Sequence, residues 1–212
     1  MSGSLLRPAI PMLNDALRLL YVVDAAQCGN WRRVEQTLEG GVTTLWLRVP
    51  LANGSELYRL GKDLLQRCHA RGAALVVGDR ADVALALGAE GVQLGHRSPP
   101  PQRVRSWFPG WLGVSCHTEG DLARAQKAGA DYAVLSPVYG VPEKGAPLGP
   151  PLFGRFRASV NLPVVALGGI EVENAHEVAA VGAAGVAVVR ALRDAPDPAG
   201  AARRLRAAMT RT

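Results

Sequence analysis

The feature that most constrains the fold of this chain is a short pattern that occurs four times, in which a glycine precedes a tight turn and a buried apolar run. The pattern begins at Gly40, Gly88, Gly129 and Gly182. Glycine at this place is typical of a helix C-terminus, and the apolar run that follows is typical of a buried strand. The intervals of roughly 50 residues are close to two strand–helix units in a chain of 212 residues. The four runs are therefore predicted to be the even strands of an eight-unit barrel.

The odd strands are predicted in the gaps, where apolar runs fit a parallel sheet that is buried on both faces. These runs cover residues 19–23, 73–77, 111–115 and 162–167. Helical patterns lie between the strands, most clearly at residues 54–70, 80–87, 119–127, 172–180 and 198–209. The segment 139–151 is rich in proline and glycine, and it is predicted to be a loop over the barrel mouth.

The predicted fold is therefore α/β, with residues 1–212 forming a single (β/α)8 TIM barrel. Its core spans about residues 19–208, and residues 1–13 form an N-terminal extension. A doubly wound open sheet is the alternative. It is rejected because Asp24-Ala25-Ala26-Gln27 follows the first strand, where such a fold would carry a GxGxxG turn.

Composition and charge narrow the classes of protein further. No apolar stretch approaches the roughly 18 residues of a membrane span, and Arg7, Pro8 and Pro11 interrupt any signal-peptide core, so a cytoplasmic protein without a membrane partner is expected. The net charge is +6, but the basic residues are scattered and only 5% of residues are aromatic, which favours a small phosphorylated ligand over nucleic acid. The three cysteines form no CxxC pair, so reduced thiols are expected.

Chemistry in such a barrel belongs at the C-terminal ends of the strands. Arg48 follows the second strand and lies two and four residues after Trp46 and Thr44. Their side chains are therefore expected on the same face of the strand, with Arg48 pointing to the mouth. There it suits either an anion or a salt bridge at the rim. Asp79 follows the third strand, where it is either part of the site or the cap of the next helix.

A serine and a histidine share one parity at the end of the fifth strand. Ser115 and His117 are expected to face the mouth together. Imidazole has a pKa of about 6.5 and can move protons near neutral pH, so His117 is the predicted catalytic residue. His96, after the fourth strand, is a weaker candidate.

The ends of the seventh and eighth strands predict a phosphate site. Gly168 and Gly169 follow the seventh strand, and Val189 and Arg190 end the eighth. Loops at these two places commonly bind phosphate, because glycine lets backbone N–H groups approach the oxygens, although the glycines could also form only a tight turn. Lys144, in the long loop, is a candidate for a further cation.

Taken together, these residues resemble the thiamine phosphate synthase and thiazole tautomerase (TenI-like) superfamily over about residues 19–208. The pieces that carry the resemblance are Leu47-Arg48, Asp79-Arg80-Ala81-Asp82-Val83-Ala84-Leu85, Gly91-Val92-Gln93-Leu94-Gly95, Gly113-Val114-Ser115-Cys116-His117-Thr118, Gly129-Ala130-Asp131-Tyr132, Pro137-Val138-Tyr139 with Lys144, and Ala166-Leu167-Gly168-Gly169-Ile170. The resemblance implies an eight-stranded barrel and a thiazole phosphate ligand.

Three positions depart from the synthase pattern. Trp46-Leu47-Arg48-Val49-Pro50 stands where a synthase has Gln-x-Arg-x-Lys, and Gly78-Asp79 stands where it has Asn-Asp. His96-Arg97-Ser98 replaces an acidic magnesium ligand, and Arg97 would repel the metal. From these departures, displacement of pyrophosphate is not expected.

The leading prediction is therefore a thiazole tautomerase, an isomerase that needs no metal or organic cofactor. In this reading His117 shuttles the proton, and the thiazole phosphate is bound by Arg48, Asp79, Ser115, Lys144, Gly168, Gly169, Val189 and Arg190. The first alternative is thiamine phosphate synthase, a transferase that would need Mg²⁺. The second is a non-catalytic, regulatory binder of a phosphorylated ligand. The sequence leaves the oligomeric state open, and a homo-oligomer is compatible with it.

Overall fold

The computed structural model of the chain describes residues 9–142 and 145–210. Within these residues eight parallel strands follow one another in chain order around a closed barrel. The strands are β1 (Leu19–Val23), β2 (Thr44–Leu47), β3 (Ala74–Gly78), β4 (Gly91–Leu94), β5 (Trp111–Cys116), β6 (Tyr132–Leu135), β7 (Val164–Leu167) and β8 (Gly185–Val188). Strand β1 pairs with both β2 and β8, which closes the sheet. The predicted (β/α)8 barrel is confirmed, and the open sheet is excluded.

Helices connect the strands on the outside of the barrel. The described residues form α1 (Leu13–Ala16), α2 (Trp31–Glu39), α3 (Gly54–Ala70), α4 (Ala81–Leu87), α5 (Pro101–Arg105), α6 (Glu119–Lys127), α7 (Gly149–Ala158), α8 (Ala175–Ala180), α9 (Arg190–Arg193) and α10 (Pro198–Ala208). In this part of the chain, no helix combines the length and the apolar character that a membrane crossing requires.

The alternation of side chains along each strand separates two cores. Leu45 and Leu47 belong to the large core between the sheet and the helices. Trp46 lies instead in the smaller core inside the barrel, where it is grouped with Val22 and Val76. Both cores remove apolar surface from water, which is the main stabilising contribution to such a fold. The parity predicted for β2 is therefore correct, and the inner positions nearest the strand ends face the mouth.

The glycines of the repeated pattern lie at the turns before the even strands, as predicted. In the first repeat, the glycine with the left-handed conformation lies one residue later than expected. Gly88 is the C-cap of α4 and has a φ of +69°, a left-handed conformation that glycine adopts without a steric cost. In the first repeat the left-handed residue is Gly41, not Gly40. Gly40 is required for space, because a Cβ atom there would lie 2.4 Å from the carbonyl oxygen of Ala199.

The prediction that residues 139–151 form a loop is wrong for the last residues of this segment. Helix α7 begins at Gly149 and takes Pro150 and Pro151 into its first turn. Proline fits there because the first N–H groups of a helix have no partner inside the helix. The irregular segment between β6 and α7 is therefore shorter than the proline content suggests.

Candidate functional site

A cavity of about 590 Å³ opens at the C-terminal end of the barrel, where a barrel of this kind is expected to carry its site. Every strand contributes to its wall, either by an inward side chain or by the residues that follow the strand. The lining residues are Val22, Trp46, Arg48, Pro50, Gly78, Asp79, Gln93, Gly95, His96, Arg97, Ser115, His117, Asp121, Val134, Ser136, Leu167 and Val189. Its size suits a small molecule.

The floor of the cavity contains a polar pair from neighbouring strands. Gln93 of β4 is buried, and its Nε2 donates a hydrogen bond of 3.1 Å to Oγ of Ser115 on β5. This bond satisfies only one half of the amide, because Oε1 of Gln93 has no hydrogen-bond partner among the described residues. Sequence reasoning selected Ser115 but did not select Gln93 as a site residue. Its signal was a polar residue at an inward position of an otherwise apolar strand.

Trp46 forms another part of the floor, and it was not selected as a site residue either. It is buried among the inward side chains, and its indole nitrogen lies beside Gly78 at the end of β3. A Cβ atom on residue 78 would come within 3.2 Å of that nitrogen. The glycine at this strand end thus makes room for the large ring inside the barrel.

His117 is held at the rim by its side chain and by its backbone. Its Nδ1 lies 2.7 Å from the carbonyl oxygen of Ser136, which follows β6. Since a carbonyl oxygen only accepts, Nδ1 carries the hydrogen in this contact, and in neutral imidazole the other nitrogen, Nε2, is then an acceptor. Ser115 and His117 both line the cavity, as their shared parity predicts.

The backbone of His117 is fixed by the start of the following helix. Thr118 caps α6, and Asp121 reaches back to form a capping box. The Oδ2 atom of Asp121 accepts hydrogen bonds from the backbone N–H groups of His117 and Thr118, each at 2.9 Å. Burial opposes the charge on Asp121, but these hydrogen bonds outweigh it and hold the pKa of the carboxyl below its usual range.

Asp79 does not cap the helix that follows it, so that alternative is wrong. Helix α4 begins after Arg80 without a side-chain cap. The Oδ1 atom of Asp79 instead accepts from the backbone N–H of Gly95 at 3.0 Å and from Oγ of Ser98 at 2.7 Å. Asp79 has a φ of +62°, which aspartate tolerates better than most residues. This conformation aims its carboxylate across the mouth at the segment after β4.

The two arginines that line the cavity have no acidic partner within the described residues. Neither Arg48 nor Arg97 has a carboxylate oxygen within 4.0 Å in this part of the chain. The rim salt bridge considered for Arg48 is therefore absent there. Both side chains are exposed at the mouth and are placed for an anionic ligand. His96 lines the same cavity.

The loop after β7 is shaped by close contacts with the segment after β6. Gly168 and Gly169 both have positive φ angles, +102° and +64°. A Cβ atom on Gly169 would come within 2.7 Å of Cβ of Tyr139, so a larger residue does not fit without movement. The side chain of Asn174 donates to the carbonyl oxygen of Gly169 at 2.9 Å and accepts from the N–H of Glu171 at 2.9 Å. Asn174 thus holds the conformation of this loop.

Three predicted site residues remain, and only one of them lines the cavity within the described residues. Val189 lines the cavity. Arg190 begins the short helix α9 and is exposed. Lys144 lies outside the residues that the structure describes.

Fold and site together define a (β/α)8-barrel protein with a small-molecule cavity at its mouth, lined by residues from the strand ends. The sequence profile of the family described as thiamine monophosphate synthase, TMP-TENI, matches residues 19–192. The chain therefore belongs to this family, as the resemblance of its motifs predicts.

Known relatives agree with the family. A thiamine-phosphate synthase from Methanospirillum hungatei is 36% identical over 194 residues, which cover 87% of this chain and 94% of that protein. Another from Chlorobium luteolum is 40% identical over 184 residues, which cover 84% and 87%. The structure of a thiamine phosphate pyrophosphorylase from Pyrococcus furiosus matches with a TM-score of 0.86 at 34% identity, covering 94% of this chain and 98% of that one.

These relatives show that the leading prediction of a thiazole tautomerase is wrong, and with it the classification as an isomerase. They favour the alternative, because relatives of high coverage are named thiamine-phosphate synthase. The coarser prediction, an enzyme of thiamine biosynthesis that acts on small molecules, stands. The wrong prediction rested on three strand-end positions that depart from the synthase pattern. Those residues change the charge of the site, but they do not by themselves define the reaction.

Mg²⁺ is expected as a cofactor if the protein is a synthase. The residues at the mouth, however, fit that ion poorly. Mg²⁺ prefers carboxylate oxygens in octahedral geometry. In the described residues, no three His, Cys, Asp or Glu side chains form a group that could hold a metal. Of the two carboxylates that line the cavity, Asp121 is engaged at both oxygens and Asp79 keeps only Oδ2 without a partner in the described residues, so at most one carboxylate oxygen is left for a metal. Arg97, on the same wall, adds positive charge.

Proposed function

We propose that this chain is a thiamine-phosphate synthase, a transferase that couples a thiazole phosphate to a pyrimidine pyrophosphate. In the coupling, the lone pair of the thiazole nitrogen forms a bond to the exocyclic carbon of the pyrimidine. The bond from that carbon to the pyrophosphate oxygen breaks, and pyrophosphate leaves with the electron pair. The observation that carries the proposal is the identity of 36% and 40% with proteins of that name over most of both chains.

In this proposal the two anionic groups bind in two separate regions, and the region for the thiazole phosphate includes the lining residue Val189. We assign the thiazole phosphate to the loops with Gly168, Gly169, Val189 and Arg190, where positive φ angles and a helix start suit a phosphate. We assign the pyrophosphate to the wall that carries Arg48, and we keep Lys144 as a proposed further cation without assigning it to a wall. In this assignment the two anions lie at the ends of different strands, β2 for the pyrophosphate and β7 and β8 for the thiazole phosphate.

Three further residues orient the rings and the loops. Ser115, held by Gln93, lies on the floor between the two walls. Asp79 fixes Gly95 and Ser98 and thereby the segment after β4. His117 offers Nε2 as a hydrogen-bond acceptor. Because the coupling itself removes no proton from carbon, His117 binds substrate in this reaction and does not shuttle protons. His117→Ala is therefore expected to raise KM more than it lowers kcat.

The test is a coupling assay with both substrates, in which the release of pyrophosphate and the formation of thiamine phosphate are followed together. The proposal expects both products in equal amounts and neither product when one substrate is omitted. Gly169→Val serves as a variant with a blocked phosphate loop, since even a Cβ atom there meets Tyr139. If the wild type forms no thiamine phosphate above the buffer reaction, with or without Mg²⁺, the proposal is wrong.

A further inference from the structure

Two guanidinium groups at the mouth share one cavity and have no acidic partner in the described residues. Arg48 follows β2 and Arg97 follows β4, so they stand on either side of the end of β3. Guanidinium remains charged at every pH at which the protein folds. An anion bound in this cavity therefore meets two positive charges. The arrangement is therefore suited to a ligand with more than one negative charge.

The two carboxylates that line the cavity, Asp79 and Asp121, form no ion pair with these arginines and make most of their hydrogen bonds elsewhere. Oδ1 of Asp79 accepts from Gly95 and from Ser98, which leaves only Oδ2 without a partner in the described residues. Asp121 accepts from the backbone of His117 and Thr118 and also pairs with Arg124. Arg48 and Arg97 thus remain as positive charges of the cavity that no described carboxylate pairs with.

We infer that Arg97, together with Arg48, neutralises the pyrophosphate of the substrate in place of a magnesium ion, so that coupling proceeds without added metal. This inference rests on the proposed function. It adds Arg97 to the substrate-binding residues. It also explains why the mouth offers few magnesium ligands, since the arginines supply the positive charge. Two guanidinium groups bring the same total charge as one Mg²⁺ ion. Both can bind phosphate oxygens through paired N–H donors.

The same two groups can stabilise the leaving pyrophosphate. Negative charge develops on the departing oxygen as the carbon–oxygen bond breaks, and cationic donors placed in advance lower the free energy of that state. Magnesium would have to enter a site where Arg97 already supplies positive charge, which disfavours the ion. The released pyrophosphate keeps the electron pair, so no other reactant is needed.

The first experiment measures binding of inorganic pyrophosphate by calorimetry in EDTA. We expect the wild type to bind, and added Mg²⁺ not to tighten that binding. Arg97→Ala should weaken it about tenfold, in keeping with one charge-assisted contact. Arg97→Lys should fall between the two, because lysine keeps the charge but loses the paired donors.

The matched control is Arg103→Ala. Arg103 is also exposed, lies in the next helix, and is not among the cavity residues. Its removal subtracts the same unit of net charge and should leave pyrophosphate binding unchanged. If Arg103→Ala weakens binding as much as Arg97→Ala, the effect reflects overall charge and the inference is overturned.

The second experiment measures coupling in EDTA and in Mg²⁺, which separates this inference from the proposed function. Similar turnover in both buffers supports the inference. Turnover that disappears in EDTA and returns with Mg²⁺ overturns it and leaves the proposed function intact. If no coupling occurs in either buffer, the proposed function fails and metal-free coupling fails with it. The titration tells the two failures apart: when coupling does occur, absence of Arg97-dependent pyrophosphate binding in EDTA overturns the inference alone.

Discussion

At the scale of single residues, Asp79 decides the electrostatics of one side of the mouth. Its left-handed backbone turns the carboxylate away from α4 and toward the segment after β4, where Gly95 and Ser98 donate to it. These two hydrogen bonds occupy Oδ1 and hold the carboxylate against the segment after β4, while its negative charge remains. A second acid at this place would change that balance.

Ser98→Asp tests this dependence directly. It places a carboxylate where Oγ of Ser98 now lies 2.7 Å from Asp79, so two like charges meet. We expect the variant to be less stable by about 1–3 kcal/mol in EDTA, because one carboxylate loses its donor and repels the other. Mg²⁺ should restore much of that loss, since paired carboxylates are the ligands it prefers.

Thermal unfolding of Ser98→Asp with EDTA and with Mg²⁺ measures the effect. Ser98→Asn is the control, because it has similar size without the charge and should show no response to Mg²⁺. A melting temperature of Ser98→Asp that is the same with and without Mg²⁺ would contradict the account.

At the scale of elements, the strand ends of the site are held by the elements that follow them. The start of α6 fixes His117 through the capping box of Thr118 and Asp121. The start of α8 is joined through Asn174 to the loop that contains Gly169. Local helix and loop structure thus positions groups on two different walls of the cavity.

Asp121→Asn is expected to lower the free energy of unfolding by about 1 kcal/mol near neutral pH, as for other lost N-terminal caps. The pKa of Asp121 is lower in the folded state, so its contribution is present above the unfolded pKa of about 4 and is lost as the pH falls through the folded value. The difference between wild type and variant should therefore shrink in acid. Urea unfolding near pH 7 and near pH 3 measures it.

The control for Asp121→Asn is Glu119→Gln, which removes a charge from the same first turn without removing a capping group. It should cost only a few tenths of a kcal/mol. A stability difference for Asp121→Asn that grows toward acid would show that another group determines the effect.

Asn174→Ala should weaken thiazole phosphate binding, because two hydrogen bonds that hold the Gly169 loop are lost. About tenfold in Kd is expected, with a loss of stability of about 1–2 kcal/mol. Calorimetry with thiazole phosphate measures the first and urea unfolding the second. Asn161→Ala, on an exposed residue before β7, should change neither. Unchanged phosphate binding in Asn174→Ala would mean that the loop keeps its conformation without this side chain.

At the scale of the whole molecule, the three cysteines are buried in separate parts of the barrel. Burial disfavours the thiolate and raises the pKa of Cys28 to about 11 and that of Cys116 to about 12. It raises the pKa of Cys68 as well. Thiols of this kind pack as small apolar groups and react slowly.

The native protein is therefore expected to show almost no reaction with a thiol reagent at about pH 8, and the denatured protein to show all three thiols. Absorbance after mixing with the reagent measures both. Ser106→Cys, at an exposed position after α5, is the positive control and should add one fast thiol. A fast native reaction without that substitution would show that the barrel opens at one of the cysteines.

The amino-acid sequence by itself determined the barrel and the places where its site would lie. Apolar runs, helix-ending glycines and alternating parity act within a few residues, so β1, α3 and α6 begin and end where their patterns predict. The same local logic correctly placed Ser115 and His117 on one wall. The motifs also indicated the family.

Only the tertiary structure decided how groups from different strands meet. The contacts of Asp79 with Ser98, of His117 with Ser136 and of Gln93 with Ser115 each join two segments that are distant in sequence. Such contacts depend on the register between strands and on loop conformation, and neither follows from a local pattern of residues. The sequence therefore indicated several of the side chains that reach the mouth, among them Arg48, Ser115 and His117. The packing of the barrel added Gln93 and Trp46 and decided which groups find partners.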